Sequence, residues 1–111
     1  MAILNKEFEI RTDDNEPVFV GSERAFAFET FAADGTTPVA ATNYELKIFD
    51  PDNNTQDTPD NTYTNGDMTI TANKAVMKYT FTKAGTYRGE WKVSGNMKQT
   101  STVFVEVIAP T

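Results

Sequence analysis

The chain has neither cysteine nor histidine among its 111 residues. Without cysteine it has no disulfide, no thiol nucleophile and no thiolate metal site, and the redox compartment stays open. Without histidine it has no Ser-His pair and no imidazole ligand for a metal. Three serines, Ser22, Ser94 and Ser101, have no base at a recognisable spacing, and the six glycines are scattered singly, so no loop cradles a phosphate. Basic residues are outnumbered, ten against sixteen acidic, and the net charge of -6 works against nucleic-acid binding. No window approaches the roughly eighteen apolar residues of a membrane span. "MAILNKEFEI" lacks a basic start followed by a long apolar run, so no signal peptide is expected. Nor does any stretch combine a helical period with caps. Paired carboxylates remain as a catalytic device. Yet Glu45 and Glu90 alternate with Lys47, Arg88 and Lys92, as a solvated sheet face does. Neither catalysis nor a resident metal or cofactor is expected.

What is present is aromatic and alternating. Eight phenylalanines, four tyrosines and one tryptophan argue for a packed core, and the length suits one domain over residues 1–111. "KEFEI" (Lys6 to Ile10), "RAFAFETF" and "NYELKIFD" each carry the period of a half-buried strand, and "EPVFVG" follows the first of them after the turn residues Asp13, Asp14 and Asn15. "DMTIT" offers Met68 and Ile70, and "AVMKYTFT" offers Met77, Tyr79 and Phe81. "TYRGEWKV" puts Tyr87, Gly89, Trp91 and Val93 on one face, and "QTSTVFVEV" turns Val103, Val105 and Val107 inward. About seven to eight such strands, separated by turn signals such as Asp34-Gly35, predict an antiparallel β-sandwich. Its core is expected at Phe26, Phe28, Leu46, Ile48, Phe81, Tyr87, Trp91 and Val105. "KAGTY" has the form of a tyrosine corner, in which the tyrosine hydroxyl bonds back to upstream backbone. The alternative is an ordinary turn glycine before a strand tyrosine. Gly89 stands where a disulfide-bearing immunoglobulin domain would have its cysteine, and Trp91 is expected to fill part of that space.

One stretch breaks the pattern. "FDPDNNTQDTPDNTYTNGD", Phe49 to Asp67, is polar almost throughout. As an EF-hand it starts well, with Asp50, Asp52 and Asn54 at the first, third and fifth positions. It then fails, because Thr55 replaces the turn glycine and Asn61 the bidentate carboxylate. An irregular calcium site made by Asp50, Asp52, Asp57 and Asp60 is the alternative. Asx-rich loops with proline mostly satisfy their own backbone, so the segment is expected to be a long loop. It would serve as an acidic contact surface through those four aspartates, or as a mobile tip. Two further candidates are weaker. Trp91 and Tyr63 would suit a sugar-binding module, but Trp91 falls on the inward face. In Val18-Phe19-Val20 one side chain must point outward, and Phe19 there would mark an edge for pairing with a partner; the alternative is a segment covered on both sides.

Taken in order, "VGSERAFAFETFAADGTTPV", "YELKIFDPDNN", "YTFTKAGTYRGEWKVSGN" and "TSTVFVEV" resemble a small immunoglobulin-like protein of tailed bacteriophages. The matching residues are Asp34 and Gly35, Asp50 and Pro51, Gly85, Tyr87 and Trp91, and Phe104 with Val105. The resemblance spans nearly the whole chain, as a free-standing protein would. It departs from the pattern at Pro38, where two threonines intervene, and in the Asx-rich loop. It implies an immunoglobulin-like sandwich and a virion component made in the host cytoplasm, an accessory of the capsid, neck or tail without catalysis. Its partners would be other virion proteins, with a homo-oligomer or ring as a further possibility, and neither nucleic acid nor membrane. The competing expectation is a cell-surface module binding carbohydrate or calcium.

Overall fold

The computed structural model of the protein describes residues 9–11 and 18–109. They form two sheets with a shared core. One sheet has the order β1 (Glu9–Arg11), β3 (Glu23–Glu29), β7 (Lys74–Thr80) and β6 (Thr69–Thr71). The other has the order β2 (Val18–Phe19), β9 (Gln99–Ile108), β8 (Gly85–Ser94), β4 (Asn43–Phe49) and β5 (Asn61–Thr64). This arrangement is a two-sheet β-sandwich, in which β5 forms the edge of the five-stranded sheet beside β4. All described pairings are antiparallel except β2 with β9, which run parallel. Lys6 to Phe8 of the expected first strand, and Glu16 and Pro17 of the second, lie outside the described residues.

Alternation builds the core as the sequence predicts. Phe26, Phe28, Leu46, Ile48, Phe81, Tyr87, Trp91 and Val105 are all buried. Trp91 stacks on Phe28 with ring centroids 5.3 Å apart and planes 9° from parallel. Space beside Gly89 is taken by Phe26 of the facing sheet and by Val103 of the neighbouring strand. A Cβ there would stand 3.0 Å from Cε1 of Phe26 and 3.1 Å from Cγ1 of Val103. Phe26 therefore fills the place directly beside Gly89, while Trp91 fills core space next to it against Phe28.

The tyrosine corner is formed. Tyr87 Oη accepts hydrogen bonds from the backbone N–H of Thr82 at 3.2 Å and of Lys83 at 3.0 Å. Gly85 has a φ of +125° and lies under Pro51, whose Cβ is 2.7 Å from where a side chain would begin. Both facts demand glycine at this position.

Two expectations need correction. The stretch from Phe49 to Asp67 is not one long loop. Asp50 to Gln56 make successive turns, Asn53 N–H donating to Asp50 O and Gln56 N–H to Asn53 O. Asn61–Thr64 then pairs with β4 as a strand, and Asn65–Asp67 makes a short 3-10 turn. A four-residue strand of one asparagine, two threonines and one tyrosine is too short and too polar to show a period, but Tyr63 lies opposite Leu46 and packs against the core. Ile70, expected inward, is exposed, because β6 is an edge strand of three exposed residues.

Candidate functional site

The acidic turn is built around a lysine. Lys83, at the tyrosine corner, places Nζ 2.6 Å from Oδ2 of Asp50 and 2.9 Å from Oδ2 of Asp52. Its hydrogen bond to Asp50 holds that carboxyl below the usual carboxylate range, and the same contact raises the pKa of the ammonium. Asp50 Oδ1 accepts from Asp52 N–H, while the two oxygens of Asp60 accept from Asp50 N–H and Asn53 Nδ2. Asp50, Asp52 and Asp60 are thus gathered, but by Lys83, by backbone N–H groups and by the Asn53 amide. Asp57 is exposed in the turn that follows. Among the described residues no cluster of three or more acidic side chains is arranged to hold a metal ion. The acidic group works as an internal brace, since it ties the end of β4 to the β7–β8 connection.

Phe19 is elsewhere, on the edge strand opposite β5. In Val18-Phe19-Val20 it is the outward residue: Val18 is buried, and Phe19 is 40% exposed opposite Ile108, itself 44% exposed. Two residues back along β9 from Glu106 lies Phe104, 63% exposed. Register puts all of them on the outer face of the five-stranded sheet, whose rows run across β5, β4, β8 and β9. One row is Thr64, Glu45, Lys92, Thr100, and the next is Thr62, Lys47, Glu90, Thr102. In the third row Arg88 lies between Phe49 and Phe104, with Cζ 3.8 Å above the Phe49 ring and Nη2 donating to Gln56 O at 2.7 Å. Phe49 is buried there, whereas Phe104 is left open.

Beside Phe104, Glu45, Lys47, Glu90, Lys92, Thr100 and Thr102 surround a shallow depression of about 180 Å³. The face therefore combines a projecting ring, a hollow and a checkerboard of charges. Of the residues singled out from sequence as contacts, only Phe19 belongs to it. Phe104 and Ile108 were missed as contacts, although their alternation with inward Val103, Val105 and Val107 already puts them outside.

The aromatic side chains proposed for sugar stacking are not available. Trp91 is fully buried, and Tyr63 is half-buried edge-on against Tyr79. Among the described residues no helix is long and apolar enough to cross a membrane. A scan against models of known protein families and a search among curated proteins both find no match for this chain.

Proposed function

We propose that the chain is a non-catalytic structural accessory of a tailed-phage particle, acting through protein–protein contacts made by the outer face of its five-stranded sheet. The observation that carries this reading is the exposure of Phe104, Ile108 and Phe19 together on one regular face, at 63%, 44% and 40%. Large apolar side chains grouped on an otherwise polar face are what contact surfaces present, aromatic residues above all. The resemblance of the strand-and-turn pattern to small phage sandwiches supplies the setting, in which the host cytoplasm is the place of synthesis and the virion the destination. Purified particles of a phage encoding the chain should contain it in fixed proportion to the capsid or tail proteins by quantitative mass spectrometry. Its absence from particles in which the other structural proteins are all detected would overturn the reading.

A further inference from the structure

We propose that the outer face of the five-stranded sheet takes a second copy of the same chain, as a two-fold pair in which each Phe104 seats in the other's depression. This rests on the contact-surface reading above and adds the identity of the partner.

Charge favours a second copy over another partner. The face carries Lys47, Arg88 and Lys92 against Glu45, Glu90 and Glu106, three of each sign. Of the ten basic and sixteen acidic residues in the chain, seven and thirteen remain for the rest of the molecule. Two copies of an acidic protein repel one another, so they can approach closely only through a surface without that excess. This face is such a surface. A strongly basic partner would find no surplus of carboxylates on it, and an acidic partner no surplus of ammonium groups.

Pattern and shape point the same way. A two-fold contact sets one patch against itself, so the patch must be self-complementary. Along β4 and along β8 the charges alternate in sign, Glu45 with Lys47 and Lys92 with Glu90, and threonines of β5 and β9 flank them. Knob and hollow also lie side by side. Phe104 projects one row beyond Thr102, about 7 Å along the strand, and Thr102 borders the depression. Rotation about an axis between them carries each ring over the other copy's hollow.

The test uses two doubly substituted chains. Glu45→Lys with Glu90→Lys makes the face positive, and Lys47→Glu with Lys92→Glu makes it negative. By sedimentation velocity over a micromolar dilution series the unaltered chain should be a reversible dimer. Each variant alone should self-associate at least roughly tenfold more weakly, because like charges then face each other. An equimolar mixture should pair again. Phe104→Ser, at an exposed position, should weaken the unaltered dimer comparably, and at concentrations where both chains are monomeric its melting temperature should match that of the unaltered chain. The proposal is overturned by a chain that stays monomeric throughout, by a dimer that every variant keeps, or by folded variants that do not pair when mixed. A monomer that is nevertheless present in particles defeats this inference and leaves the functional reading standing. A dimer that is missing from particles does the reverse.

Discussion

Trp91 is the side chain on which the two sheets most visibly meet. It is fully buried, and it lies flat on Phe28 from the facing sheet. Its indole N–H has no acceptor among the described residues, so its contribution is packing rather than hydrogen bonding. Trp91→Ala should therefore cost about 3–5 kcal/mol in urea titration, the range for emptying a large buried aromatic site. A loss below about 1 kcal/mol would mean that the site collapses at little cost and that the stacking matters little. Ala72 makes the opposite case. It is the first central residue of the two-residue turn between Thr71 and Lys74, with a φ of 53° that disfavours any side chain. Ala72→Gly removes a left-handed penalty of about 1–2 kcal/mol and adds some unfolded-state entropy. A net gain of roughly 0.5–1 kcal/mol is expected from the same titration, and a loss would show that the turn is not strained.

Among the elements, β5 is where sequence and structure part. Shortening the Asp50–Asp67 segment would be harmless if it were only a loop, since closure entropy grows slowly with length. It is more than that. Asn61–Thr64 adds an edge strand, and Asn65 Oδ1 accepts from Tyr44 N–H at 2.6 Å. Asn54 Nδ2 donates to Thr86 O at 2.9 Å, and Arg88 bonds Gln56 O. Replacing residues 52–65 by a tight turn should lower the melting temperature by about 10 °C or more, whereas excising only Asp57 and Thr58, both exposed, should leave it nearly unchanged. Equal effects of the two deletions would show that β5 contributes nothing. The strands legible from sequence, β3, β4, β8 and β9, are those long enough to alternate against a two-sided environment. A four-residue polar strand cannot show a period, and its place depends on Tyr63 finding Leu46 across the ladder. Burial of Phe49 was equally hidden, because its cover is Arg88 from another strand. The same holds for the buried bonds of Thr30 to Tyr44 and Asn73, whose partners are 14 and 43 residues away in sequence. The candidate face was half legible. Alternation fixes which way Phe104 and Ile108 point, but only the strand order brings Phe19 and the charged rows of β4 and β8 beside them.

Across the whole molecule, several polar ties outside the backbone ladders couple the sheets, and two of them involve groups with shifted titration. Lys83 follows β7 and holds Asp50 at the end of β4; Tyr79 of β7 donates its hydroxyl to Asn61 of β5 at 3.2 Å. The Asp50 carboxyl is held below its unfolded value of 3.8, chiefly by the Lys83 hydrogen bond. Asp34, which closes its own turn through Thr36 and Thr37, is lowered from the same value to about 2. For a depressed carboxylate the unfolded chain binds the proton first on acidification. Its contribution is complete above about pH 4 and is lost as the pH falls through the folded value. On the alkaline side, burial pushes the Tyr79 phenol from 10.0 up to about 12, and Lys83 is raised by Asp50. For these groups the folded chain keeps the proton longer, so stability is complete below about pH 10 and falls above it. Stability should thus form a plateau between these limits, with a fall at each end, when urea midpoints are measured at constant ionic strength. Asp50→Asn should flatten the acid limb and leave the alkaline fall of Tyr79 in place. Tyr79→Phe should flatten the alkaline limb while the acid limb is retained. If both substitutions change only the height of the plateau and neither changes the slope of its own limb, the two ties do not carry the pH dependence, and the general charge of the acidic chain does.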